Sequence, residues 1–363
     1  MGAQLDRSIE MKTTSPITRR RFMNQAALGG VSIAALAAMP TGAIARVFQP
    51  TPQVDEPERV GVMNWRVLQP GVMAIADLSL GGNTMLVVAD GKALLVDTKY
   101  AYLAGGLLKD AADQIQADIT KDRIELTLIN THHHGDHTGG NAVIVPIASA
   151  SYAHANALPR IRAQHEKYVQ GAKAGPSQLA RTDAPEAYMP FAKAAADASS
   201  TWTEKTAVPK IAINSSGHTL RLGDIVIKTQ HFGAGHTDND LVIHLPEQNI
   251  VHTGDLVFNG LHPYFDPSAN ATARGWLESL KQTRKLCNAE TTVIPGHGEI
   301  AGPEIVDTQI SFFEQLIASI QGEIDKGTAK EEVVKMSWDF MDGLGFEQVR
   351  ERLIDGVYDE LTA

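Results

Sequence analysis

The chain has 363 residues, with 32 Lys/Arg against 42 Asp/Glu, a formal net charge of −10 and one cysteine, Cys287. A core of this size needs no covalent staple, a single cysteine allows no intrachain disulfide, and an acidic surface argues against nucleic acid as a partner. Length points to one large domain or one with an appendage.

In chain order, residues 1–45 read as a targeting segment and not as part of the fold. Thr18-Arg19-Arg20-Arg21-Phe22-Met23 is a twin-arginine pattern, Ala26 to Met39 is a weakly apolar run, and Ala43-Ile44-Ala45 is a small-x-small cleavage site. These three parts together predict passage through the twin-arginine translocase, cleavage after Ala45 and a periplasmic mature chain. The leader removes five Lys/Arg and two Asp/Glu, leaving 27 basic against 40 acidic residues and a net charge of −13. No stretch reaches the ~20 apolar residues of a membrane span, so none is expected after cleavage. Residues 46–62, polar and rich in proline, read as a linker or surface arm.

From Gly71 the texture is that of strands. GVMAIAD, NTMLVVAD and KALLVD are β-branched runs punctuated by Gly81-Gly82 and Asp90-Gly91, which reads as hairpin punctuation. Helical spacing runs from Tyr100 to Asp118, and ELTLIN (125–130) is a buried strand that delivers the chain into THHHGDHTGGN. Residues 155–206 are Ala-rich and helical in texture, an insertion whose Tyr168, Tyr188, Met189, Phe191 and Trp202 read as core. Strands resume with AVPKIAI, HTLRLGD, IVIKTQHF, DLVIHL and NIVHTGD, followed by a helix around 272–287 and the strand TTVIP. Residues 303–363 carry an amphipathic helical period.

The chemistry concentrates in THHHGDH. His132 and His134 are two apart, so an extended backbone points both imidazoles the same way. Asp136 and His137 follow in a turn, and the imidazole and carboxylate mixture suits Zn2+, Fe or Mn2+. The rest of a two-metal site stands downstream at separate strand ends: His236 in GAGHTDND, Asp255 in VHTGDLVF and His297 in IPGHGE, each beside glycine.

These segments, from about Gly71 to Glu299, resemble the metallo-β-lactamase fold superfamily of hydrolases. The resemblance implies an α/β, four-layer αββα sandwich over 63–302, carrying the helical insertion and a C-terminal helical extension. It implies that His132, His134 and His236 hold one divalent metal, that Asp136, His137 and His297 hold a second, and that Asp255 bridges them. Zinc is the first expectation for both ions. This ligand set is similar to that of glyoxalase II and the lactonases. True β-lactamases place Cys or Ser where Asp255 stands, which argues against antibiotic hydrolysis as the evolved task. The basic glutathione-binding tail of glyoxalase II is not recognisable.

Two such cations sharing a water lower its pKa and supply hydroxide to attack a carbonyl carbon, with Asp136 as proton shuttle. The expected activity is therefore hydrolysis of a small carbonyl substrate: a lactone, ester, thioester or, promiscuously, a β-lactam. The alternative on the same fold is a mononuclear iron redox enzyme of the persulfide dioxygenase kind, for which the second ligand set is superfluous. By the same resemblance, Asp97 at the end of LLVD orients the metal histidines, and His262 and Asp266 fall where relatives line the pocket, with His262 the expected substrate contact. His133, His231, His244 and His252 read as packing residues.

Overall fold

Strand alternation sorts the apolar residues into layers. In the computed structural model, which describes residues 57–120, 123–182, 186–214 and 217–363, the first sheet comprises β1 (Arg59–Val60), β2 (Trp65–Gln69), β3 (Val72–Ile75), β4 (Thr84–Ala89), β5 (Lys92–Val96), β6 (Ile124–Ile129), β7 (Ala148–His154) and β8 (Ile211–Ile213), neighbours in that order. Strands β1 to β5 pair antiparallel, and β5 to β8 pair parallel. The twin-arginine segment and residues 46–56 of the expected linker lie outside the described residues.

The second sheet runs β13-β12-β11-β10-β9, from β9 (His218–Leu222), β10 (Ile225–Gln230), β11 (Val242–Leu245), β12 (Ile250–Phe258) and β13 (Thr292–His297). Only the β12–β13 pair in it is parallel. Because side chains alternate along a strand, Met85, Val87, Leu94 and Val96 meet Ile243, Leu245, Ile250 and Ile294 between the sheets. Their neighbours Leu86, Ala93 and Leu95 face the other way, into a helical layer.

That outer layer contains α1 (Ala104–Gln114), the single turn α2 (Gly135–Thr138) and α3 (Asn141–Ile147), then the insertion helices α4 (Ala157–Ala163), α5 (His165–Leu179) and α6 (Met189–Ala198). Over the second sheet lie α7 (Ala273–Arg284) and α8 (Glu304–Asp325), followed by α9 (Lys330–Val333) and α10 (Arg350–Thr362). Trp276 of α7, Phe312 and Phe313 of α8 and Leu353 of α10 share one core with Val251 and Val293 of the sheet. The order of layers is helix, sheet, sheet, helix.

Several elements differ from the sequence reading. The segment read as a linker through residue 62 enters the fold early: Arg59–Val60 pairs with Trp65–Arg66. Buried Asp110 of α1 holds it there, accepting from the Val62 and Met63 N–H groups and from Trp65 Nε1 at 2.8–3.0 Å. The helix expected over 100–118 begins as a 3-10 turn at Ala101–Leu103 and stops at Gln114, where Gln116 turns left-handed with φ 52°. Strand β7 is ASASYAH, small and polar, and becomes a strand by lying between β6 and β8. Asp90-Gly91 is a hairpin turn, with φ of 49° and 68°. Gly81-Gly82 is not: it ends the loop between β3 and β4, and its purpose lies in the site.

Candidate metal centre

β6 ends at Ile129 and leaves His132 and His134 on irregular backbone; His134 is extended (φ −65°, ψ 150°) and caps α2, whose turn brings Asp136 and His137 round. His236 sits in the loop between β10 and β11. The parallel neighbours β12 and β13 deliver Asp255 and His297, and register breaks between His252 and Gly254 and again before Phe258 re-aim Asp255 inward. Glycine makes room twice. A Cβ on Gly82 would fall 2.1 Å from the His137 ring, and one on Gly296 would fall 2.0 Å from Asp255 Oδ1.

The seven side chains named from the sequence converge in two groups, His132/His134/His236/Asp255 and Asp136/His137/His297, with the ligand atoms of each group within 4.8 Å of one another. In the first, His134 Nδ1 lies 3.2 Å from His132 Nε2 and 2.9 Å from His236 Nε2. In the second, His297 Nε2 lies 3.1 Å from Asp136 Oδ2 and 3.5 Å from His137 Nε2. Asp255 stands between them: Oδ2 is 3.6, 3.4 and 3.5 Å from His132, His236 and His297, and Oδ1 is 3.0 Å from His137 Nε2.

The outward-facing ring nitrogens fix the tautomers. His236 Nδ1 donates to the Tyr264 carbonyl at 2.8 Å, and His134 Nε2 donates to Asp266 Oδ2 at 2.9 Å. The Thr131 hydroxyl donates to Asp97 Oδ2 at 2.6 Å and so can only accept from His132 Nδ1, 3.0 Å away. All three rings therefore aim unprotonated nitrogens at a common point, an arrangement that repels itself unless a cation sits there. Burial lowers His236 to about 3 and His132 well below its ordinary value, so both of these rings stay neutral.

The second group carries the same requirement as charge. Burial opposes protonation of His137, but Asp255, Asp136 and Asp97 outweigh it and hold the ring protonated; Asp255 and Asp136 likewise push His297 up to about 9. Despite burial, the neighbouring His137 and His297 hold the Asp136 and Asp255 carboxyls well below the usual carboxylate range. Protons thus stand in for the cations that buried carboxylates demand, and buried Asp255 Oδ1 has the His137 ring 3.0 Å away as its counter-charge. The residues fit two divalent ions.

Beside these groups, Asp97 accepts from His137 Nδ1 at 2.7 Å and from the Thr131 N–H at 2.8 Å. His262, expected as a substrate contact, is elsewhere: its ring is fully buried, Nε2 lies 3.1 Å from Glu347 Oε2 and the ring edges Phe312. Asp266, four residues on, reaches the site through His134. His133, read as a packing residue, is buried 3.3 Å from Asn239 Oδ1 and also forms a third His/Asp group with His134 and Asp266. Sequence reasoning missed Lys99, which is buried, donates to the Gly82 carbonyl at 2.7 Å and is pushed down to about 8 by burial against the pull of Asp77, Asp136 and Asp97. A lysine three residues past a strand end gives no sign of burial.

A cleft of about 780 Å3 opens over the cluster, with Asp136, Asp255 and His297 at its base. Gln164 and Tyr168 of the insertion line it, as do Phe346 and Val349 of the C-terminal extension. Tyr168, read as core, is both buried and cleft-lining, with its hydroxyl 2.7 Å from Thr138 Oγ1. Tyr188 and Trp202 are core.

Two face-to-face sheets between helical layers, with His and Asp ligands gathered at strand ends, define an αββα metal-binding protein. The sequence profile described as the Metallo-beta-lactamase superfamily matches residues 79–297, and the chain belongs to that superfamily. It is 22% identical over 238 residues to the Metallo-beta-lactamase type 2 of Bacteroides fragilis, covering 65% of this chain and 77% of that one. To the Metallo-beta-lactamase type 2 of Bacillus cereus it is 31% identical over 81 residues, covering 22% of this chain and 32% of the other. Among solved structures, DIM-1 metallo-beta-lactamase aligns at 18% identity with a TM-score of 0.48, covering 71% of this chain and 99% of its own. A metallo-beta-lactamase from Pontibacter korlensis aligns at 15% identity with a TM-score of 0.49, covering 69% of this chain and 98% of its own.

Proposed function

We propose that the chain is a dinuclear metal-dependent hydrolase, exported by the twin-arginine route to the periplasm, that cleaves a lactone, ester or thioester and, promiscuously, a β-lactam. Members of its superfamily are metal-dependent hydrolases. The observation that carries the reading is Asp255, placed between two complete ligand groups with contacts to histidines of both. Two divalent cations held there, zinc foremost with iron or manganese also suited, would acidify a shared water and polarise the carbonyl oxygen of a substrate.

The chain's own groups do the rest. Asp136 is a ligand and also faces the cleft, with its side chain 22% exposed. Ionised as a ligand, it is the carboxylate positioned to take a proton from the nucleophile and return it to the leaving group. The histidines lose their freedom to Asp97, Asp266 and the Tyr264 carbonyl, so the ligands are set before substrate arrives. The second group, Asp136/His137/His297, favours this reading over a mononuclear iron enzyme, which needs only one group. The relatives are named for β-lactams; an aspartate at 255, where the resemblance expects Cys or Ser in true β-lactamases, favours esters and lactones.

The test is a panel of lactones, esters, thioesters and β-lactams offered to zinc-loaded protein, with metal content measured beside it. Turnover of a carbonyl compound, two metals per chain and loss of turnover in Asp136→Ala with unchanged circular dichroism are expected. One iron per chain and no hydrolysis would overturn the reading. Export is tested separately: Arg19→Lys with Arg20→Lys should hold the protein in the cytoplasm.

A further inference from the structure

Two of the three histidines of the first group are oriented by one short stretch of chain. His236 donates to the carbonyl of Tyr264, and His134 donates to the carboxylate of Asp266, at 2.8 and 2.9 Å. The stretch Tyr264-Phe265-Asp266 follows β12, lies outside any helix or strand, and is held from the far side by α10.

Arg352 of α10 touches all three residues. Its Nε donates to the Phe265 carbonyl at 2.8 Å, its Nη2 lies 3.4 Å from Asp266 Oδ1, and its guanidinium carbon stands 4.8 Å from the centre of the Tyr264 ring. Asp266 Oδ1 also accepts from the Ser268 N–H at 3.1 Å and the Ser268 hydroxyl at 2.6 Å. One carboxylate oxygen is thus anchored by three donors, which leaves Oδ2 aimed at His134. One turn further along α10, Gly356 admits the Phe265 ring, 2.4 Å from where a Cβ would be.

We propose that Arg352 is a positioning residue for the first metal group, and that the C-terminal extension is thereby part of the metal centre. A planar guanidinium can donate in two directions from its edge while its face lies on an aromatic ring; an ammonium cannot do all three. Two histidines answer to this one side chain, one through a main-chain carbonyl and one through a carboxylate. The second group is oriented elsewhere: His137 Nδ1 donates to Asp97 Oδ2.

The inference rests on the metal-holding part of the reading above and not on the substrate. The experiment is a zinc titration against a competing chelator, using the full chain stripped of metal, in two backgrounds. His297→Ala leaves the first group intact; His236→Ala leaves the second. Adding Arg352→Met should weaken zinc binding about 3- to 10-fold in the first background and leave the second unchanged. This is less than the 10- to 100-fold typical of a direct orienting partner, because Arg352 acts one contact further out. Arg352→Lys should behave like Arg352→Met, since charge alone does not rebuild the fork and the stacking. Equal weakening in both backgrounds would mean a merely structural role, and no change in either would mean a surface contact; each overturns the proposal. Failure of unsubstituted protein to bind zinc would overturn the metal reading as well, and is distinguishable from both.

Discussion

Asp97 Oδ2 lies 2.7 Å from His137 Nδ1, with both side chains wholly shut off from solvent. The same carboxylate takes the Thr131 hydroxyl, which in turn takes His132, so one aspartate orients a histidine from each ligand group. Its own backbone sits at φ 63°, in the left-handed region that residues other than glycine seldom adopt. Such a conformation persists where surrounding structure over-determines it, and here the strand end, Thr131 and His137 all bear on it. Asp97→Ala should therefore weaken both metals, by about 10- to 100-fold in affinity, where loss of an ordinary ligand partner affects one. Chelator competition measures this; weakening confined to one metal would show that Thr131 holds His132 without help.

Gly82 gives a steric counterpart. Its backbone φ is not positive, so alanine meets no conformational penalty there, only the His137 ring at 2.1–2.7 Å from the added carbon. The ring is fixed on its other side by Asp97 and cannot retreat without losing that bond. Gly82→Ala should lower bound metal from two to one per chain and reduce turnover at least about 100-fold, while first-group affinity holds. Metal analysis alongside kinetics decides it; full occupancy would show that the neighbouring loop yields.

The two glycines before β4 illustrate what could be read without coordinates and what could not. A Gly-Gly pair between strand-like runs signals a turn, because the local code is about backbone freedom; that Gly82 faces a ring more than fifty positions away is a tertiary fact. The histidine and aspartate spacing in THHHGDH was legible because an extended step followed by a helical turn is local geometry. His236, Asp255 and His297 were legible as glycine-flanked ligands at strand ends, but which ion each would hold was legible only through family resemblance. His262 and Asp266 show the limit: both stand four residues apart in one loop, and only packing sends one to Glu347 and the other to His134. Arg352 resembles any exposed cation on an amphipathic helix, and β7 lacks the β-branched residues that announce a strand. Strands and helices were legible from alternation and helical period, and the four layers only through the resemblance; the contacts orienting the ligands were not.

The protons that replace metal predict how stability depends on pH. His297 is raised from 6.5 to about 9 when no metal is bound, and His137 is raised as well. A group whose folded pKa is raised contributes stability that is complete below its unfolded value and vanishes as pH passes the folded one. Chelated protein should therefore lose thermal stability between about pH 6.5 and 9. Metal-loaded protein has no such protons to lose, and metal binding itself strengthens as competing protons leave. The difference in Tm between loaded and chelated protein should widen across that window, and His297→Asn should shrink the pH-dependent part. Parallel curves would contradict the charge balance described for the second group.

Trp276 joins the second core to the site. It is completely buried, its ring lies 4.7 Å from that of Phe313 and 5.2 Å from that of His236, and its Nε1 donates to the Leu256 carbonyl at 2.9 Å. Leu256 follows Asp255 directly, so this bond fixes the backbone that carries the Asp255 carboxylate. Trp276→Phe keeps an aromatic ring but leaves that carbonyl bond unmade and a void beside Phe313. A lost buried hydrogen bond costs about 1–3 kcal/mol, and the void adds to it. The urea midpoint of the metal-loaded protein should fall with the slope of the transition unchanged, and zinc affinity should fall in step because Asp255 loses its brace. Trp276→Leu, with less ring contact and the same missing donor, should lower the midpoint further yet leave zinc affinity close to that of Trp276→Phe. If affinity instead tracks ring size, the indole acts through packing on His236 and not through the Leu256 carbonyl.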